Sequence, residues 1–182
     1  MARLPSPQRD VLPPNQQRVY DLIKETRGNV RGPFAIWLNV PELAEPCLRM
    51  QHALNYHSRL DKRLMQLMIL IMARRASAQF AWFIHARHAH ELGIESEIVE
   101  AIRTGKEPAF TRDDDRLVYD IVVELDATRT LSETSYARAL SVFGTETLVE
   151  LVTATGFYAM VAMTLNAFDA PVPGGERPLG QA

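Results

Sequence analysis

The sequence predicts an all-α fold. Three observations carry this reading: apolar residues recur at helical spacing from end to end, no stretch alternates with period two over a strand's length, and glycines fall at the ends of the apolar stretches. The first 14 residues, with Pro5, Pro7, Pro13 and Pro14, read as an extended arm. A first helix fits Asn15 to Arg27, with Val19, Leu22 and Ile23 on one face and Gly28-Asn29 to stop it. Residues 31–43 read as a loop, since Gly32-Pro33 is a turn signal and Pro41 suits the first turn of the next helix. That loop carries Phe34, Ile36, Trp37 and Leu38, too much apolar area to leave in water, so it should fold back over the body.

The second helix spans about Pro41 to Tyr56. The third, Asp61 to Arg74, is apolar on nearly every side except Gln66, which marks it as central. The fourth runs from Ser77 to Leu92 and ends at Gly93; a short one covers Glu95 to Thr104. Thr111 with Asp114 three residues on predicts a capping box, and Asp113, Asp114 and Asp115 suit the positive end of the helix that follows, to about Thr128. Ser132 opens a further helix to Phe143, Gly144 punctuates, and a last helix covers Glu146 to Phe168. Residues 15–170 thus form a single helical domain, and 171–182 read as a flexible tail.

Bulk properties narrow the function classes. A chain of 182 residues can bury a core without staples. A formal net charge of −2, with no strongly basic face, argues against nucleic acid as a partner. Cys47 is the single cysteine, so no intramolecular disulfide, CxxC pair or cysteine zinc site exists, and a cytoplasmic, reducing setting is expected. No apolar leader follows Met1. Leu151 to Phe168 is uncharged for 18 residues, but its threonines, Gly156 and Asn166, with Glu146 and Glu150 on its flank, favour a buried core or subunit-interface helix over a membrane span.

The candidate chemistry lies between Gln66 and Leu92. On the fourth helix, Ala78, Ala81, His85, His88 and Leu92 share one stripe, whereas Gln79, Arg87, His90 and Glu91 share the opposite one. His85 and His88 should therefore point inward and His90 outward, which removes a three-histidine metal cluster. A two-histidine metal pair would need carboxylates, and the third helix offers Gln66 instead. The plain alternative is a pair of core histidines bonded to backbone, Gln66 or Tyr158. Small Ala78 and Ala81 beside His85 leave room for a pocket. Asn55, Tyr56 and His57 read as a solvated helix end, and nothing near Cys47 lowers its pKa. Methionines such as Met65, Met68 and Met160 read as core filler.

Four stretches together resemble the carboxymuconolactone decarboxylase family, which includes the alkylhydroperoxidase-D-like proteins. They are RGPFAIWLNVPELAEP (31–46), LMQLMILIMARRASAQFAWFIHARHAHELGI (64–94), LVYDIVVEL (117–125) and ELVTATGFYAMVAMTLNAFDAPVP (150–173). The resemblance implies an alkylhydroperoxidase-D-like helical bundle assembled as a homo-oligomer, a trimer or hexamer. His85 falls on the family's histidine and Trp82 on its frequent aromatic. Peroxidase-type members carry CxxCxxxH; here Ala78 and Ala81 stand where the thiols would be, so thiol-dependent peroxidase activity is not expected. The glutamate of YEWxxH members falls on Ala81, and the family's glutamate on the preceding helix falls on Gln66, an amide that takes no proton as a carboxylate does.

The expectation is a small-molecule lyase, decarboxylase or isomerase acting on a lactone or keto-acid type substrate, needing neither cofactor nor metal. His85 would move the proton and Gln66 would orient it or the substrate carbonyl. His88, Trp82, Phe34, Trp37, Tyr158 and Ala81 would bind the substrate. The alternative is a family member that keeps its pocket for binding alone.

Overall fold

A computed structural model of the chain describes residues 2–180. Among the described residues eight helices build the body: α1 (Pro14–Arg27), α2 (Pro33–Trp37), α3 (Pro41–Tyr56), α4 (Lys62–Arg75), α5 (Gln79–Glu91), α6 (Ser96–Thr104), α7 (Asp113–Thr128) and α8 (Glu133–Ala167). Among the described residues there is no strand. Single 3-10 turns sit at Arg9–Val11 and Pro173–Gly175.

Helix α4 is the axis of the molecule. Asp61 caps it by accepting from the Arg63 and Leu64 amides, and every residue from Leu64 to Ala73 is buried. It packs against α5, α7 and α8, so its apolar side chains meet neighbours on all sides, as its sequence demands. Each fully buried Leu or Ile there contributes roughly 1.5–3 kcal/mol. Gln66 is the one polar side chain inside this run, and it is 6% exposed.

The segment expected to be a loop after Gly32 instead contains α2. Pro33 supplies the fixed first-turn geometry, and Phe34 and Trp37 are buried on one side of this single turn of helix. The apolar residues do fold back, and they do so as helix because burial removes their backbone groups from water as well. Gly32 makes the entry possible: its φ of 60° with ψ of −136° suits glycine, and a Cβ there would lie 2.5 Å from Phe80 Cε1.

The capping box at Thr111 does not form. The N-cap of α7 is Arg112, without a side-chain cap, and Thr111 Oγ1 donates instead to Glu95 Oε1 at 3.5 Å. The acidic run does occupy the first turn, but Asp115 has a further duty. It is fully buried and receives both terminal nitrogens of Arg63, Nη2 to Oδ2 at 2.6 Å. This bidentate pair fastens α7 to α4.

Gly144, with φ 74° and ψ 171°, breaks α8 between its two parts. By length and composition α8 could cross a membrane; half of its most apolar stretch is buried inside the body, as in a core helix. The C-terminal segment is fastened rather than free over its described part: Gln79 Nε2 donates to the Gly180 carbonyl at 2.8 Å, Gln79 Oε1 accepts from the Leu179 amide, and Arg103 Nη1 donates to the Pro178 carbonyl. At the other end Arg3 donates to the Ala167 and Phe168 carbonyls, so the proline-rich arm lies along the body too.

Candidate active site

Two adjoining cavities, about 330 and 620 Å³, meet at His85. Helix α5 places His85 and His88 on the same side, with rings edge to face at 5.8 Å, while His90 and Arg87 face solvent. The inward stripe holds as far as His88; Leu92, its last member, is 39% exposed because it lies past the final turn of the helix.

Gln66 reaches His85 from α4. Its Nε2 lies 2.9 Å from His85 Nδ1 and 3.0 Å from the His85 carbonyl oxygen, while its Oε1 lies 3.3 Å from Nδ1. The carbonyl oxygen can only accept, so the amide nitrogen must face it. With its two protons Nε2 then donates to the carbonyl and to Nδ1. Nδ1 is thereby an acceptor, which leaves the imidazole proton on Nε2. His85 Nε2 has no hydrogen-bond partner among the described residues. The site therefore presents a neutral imidazole whose free N–H is a donor.

Electrostatics hold it in that state. Burial first, then the neighbouring His88 and Arg27, push the His85 pKa down to about 3. Tyr158 stands edge to face on His85 at 5.8 Å, and burial pushes its phenol up to about 12, so it remains a protonated donor or acceptor. Tyr158 Oη lies 3.5 Å from Asn55 Oδ1.

The structure sorts the other expected residues. Ala81, His88 and Tyr158 line the smaller cavity together with His85, and Gln66 lines the larger. Trp82, Phe34 and Trp37 line neither. Trp82 is 2% exposed and belongs to the core, about 60° round α5 from His85. Trp37 donates Nε1–H to Thr164 Oγ1 at 3.2 Å, against α8. Phe34 is fully buried but carries the Arg27 guanidinium over its ring at 4.3 Å, so it supports the wall from behind.

Several wall residues were not legible as such. Arg27, Gln51, Asn55 and Tyr56 border both cavities. Arg27 did leave a signal: Val19 and Ile23 are buried on α1, and position 27 continues that stripe by one more turn. Read alone, an arginine in a last helical turn looks like a complement to the helix dipole. Asn55 and Tyr56 do end α3, as expected, but that end opens on the cavity. Cys47 lies outside both cavities, and burial pushes its thiol up. Among the described residues no group of three or more His, Cys, Asp or Glu side chains is placed to hold a metal ion.

No protein-family model matches the sequence, and no curated protein matches it. Solved structures do match. An uncharacterized peroxidase-related protein from Silicibacter sp. TM1040 superposes with a TM-score of 0.74 at 18% identity, covering 93% of this chain and 90% of its own. An uncharacterized peroxidase-related protein with an alkylhydroperoxidase AhpD core, from Ralstonia eutropha JMP134, gives 0.76 at 13% identity over 94% and 92%. A protein of unknown function from Agrobacterium tumefaciens gives 0.66 at 15% identity over 76% and 95%. The helical order, the absence of strands among the described residues and these superpositions together establish that the chain has the alkylhydroperoxidase-D-like helical fold.

Proposed function

We propose that this protein is a small-molecule lyase, decarboxylase or isomerase in which His85 donates a hydrogen bond to a substrate carbonyl oxygen. The observation that carries the reading is the Gln66–His85 contact, which favours a neutral imidazole with its proton on Nε2 at a residue that lines the cavity. An imidazole whose conjugate acid has a pKa of about 3 is a poor proton acceptor. As an N–H donor it stabilises negative charge that develops on oxygen, and it needs no reorganisation to do so. On a β-keto acid the C–C bond to the carboxylate breaks, its electron pair enters the carbonyl to give an enolate held by His85, and carbon dioxide leaves. Water then supplies the proton to carbon. On an unsaturated lactone the same donor would stabilise a dienolate while cavity water takes the proton from one carbon and returns it to another.

The absence of thiols at positions 78 and 81 supports neither peroxide reduction nor a dithiol relay. A second reading is ligand binding without turnover. It is favoured by the makeup of the smaller cavity, whose lining includes no carboxylate to act as a base. Exposed Val149, Val152 and Met163 form an apolar side of α8, which supports assembly of identical subunits.

The deciding experiment is His85→Ala assayed on a panel of β-keto acids and unsaturated γ-lactones. Turnover by the native chain that falls at least about 10²-fold in the variant, with the helical circular dichroism unchanged, supports catalysis. Turnover that survives the substitution overturns the mechanism. A native chain that binds but never turns over favours the second reading.

A further inference from the structure

Among the described residues Arg27 is a half-buried cation without a counter-ion. Its guanidinium rests on the Phe34 ring, and its Nε is sealed from solvent with no hydrogen-bond partner. Elsewhere in the chain arginines in comparable surroundings meet carboxylates, as Arg63 meets Asp115 and Arg75 meets Asp126. No carboxylate reaches Arg27 among the described residues, and none lines the smaller cavity it borders. Arg31 adds a second positive charge to that wall, not a counter-charge.

Leaving a desolvated cation unpaired is costly. Burial pulls the Arg27 pKa below its ordinary value, although an arginine keeps its proton regardless. A counter-ion for the guanidinium would therefore come from outside the chain, through the cavity that Arg27 borders.

We propose that Arg27 holds the carboxylate of a small organic acid in the smaller cavity, with the body of the acid lying against Ala81 and Ile84 beside His85. A carboxylate matches the planar fork of a single guanidinium with two parallel hydrogen bonds. The cavity, about 330 Å³, suits a ligand of one ring or a short chain. The inference rests on the cavity at His85 being the functional site, as read above, but not on any reaction occurring there.

Benzoate and benzamide, alike in shape and different in charge, test it on native protein carrying 15N-labelled arginine. Benzoate should shift the Arg27 Nε–H resonance saturably, and benzamide should bind at least about tenfold more weakly. Arg27→Met keeps the chain length, removes the charge and should weaken benzoate about 10²-fold, with an unliganded Tm no lower than the native value. Equal binding of benzoate and benzamide overturns the proposal. So does undiminished binding by Arg27→Met, a stronger response to inorganic phosphate, or no saturable shift with benzoate, propionate and pyruvate alike. If Arg27→Met fails to fold, the native-protein resonance decides alone. Carboxylate binding through Arg27 without His85-dependent turnover would retire the proposed reaction and leave this site standing.

Discussion

Acidification should act on stability through His85, and the size of the effect follows from the fold. In the native state its pKa is about 3, set first by burial. In the unfolded chain an ordinary imidazole titrates near about 6.5. Between those values the unfolded state binds the proton and the native state does not, so stability rises with pH across the window. The contribution is complete above about pH 6.5 and is lost as the pH falls toward 3. From about pH 7 to about pH 4.5 the gap is open for about two pH units, or ~3 kcal/mol at about 1.4 kcal/mol per unit. Because the ring borders a cavity open to water, screening lowers this to about 1–2 kcal/mol. Urea denaturation followed by circular dichroism at both pH values, on the native chain and on His85→Gln, isolates the term. Carboxylates titrate alike in both proteins, and glutamine stays neutral throughout. The native chain should lose about 1–2 kcal/mol more than the variant on acidification. Parallel losses, within about 0.5 kcal/mol, would refute the neutral, buried imidazole and with it the donor assignment at Nε2.

Two further substitutions probe the same framework. Gln66→Glu places a carboxylate about 3 Å from His85 Nδ1 and should draw the imidazole proton to that nitrogen, raising the His85 pKa by on the order of 1–3 units; an NMR titration of its Cε1–H checks this, and an unshifted midpoint contradicts the contact. Arg63→Met leaves Asp115 buried without its partner and should cost about 3–5 kcal/mol in urea denaturation. A loss below about 1 kcal/mol would mean the pair does not fasten α7 to α4.

Helical identity was legible because burial imposes period 3.6 on each segment separately. The centrality of α4 followed from its near-continuous apolar run, and the inward aim of His85 and His88 from their shared stripe. The meeting of Gln66 with His85 was anticipated as a possible orienting pair, but its polarity was not. Which nitrogen donates depends on the His85 carbonyl lying 3.0 Å from the same amide, a relation between two helices. Helix α2 was missed because one turn gives too few residues for a period to show. Trp82, Phe34 and Trp37 were placed at the ligand because large aromatics suit pockets equally with cores; only the rotation of each helix about its axis tells the two apart.

By itself the sequence determined the helical class, the helix carrying the core, the absence of thiols at Ala78 and Ala81, and the side on which His85 would lie. These are local properties, fixed by spacing along one chain segment. Tertiary structure alone decided the state of the site. It brought the end of α1 and the end of α3 to the same cavity, gave Arg27 no carboxylate, and set Gln66 to hold the imidazole proton on Nε2. Charge, protonation and empty space depend on what stands across from a residue, and in this chain the deciding contacts join different helices, as Gln66 of α4 meets His85 of α5.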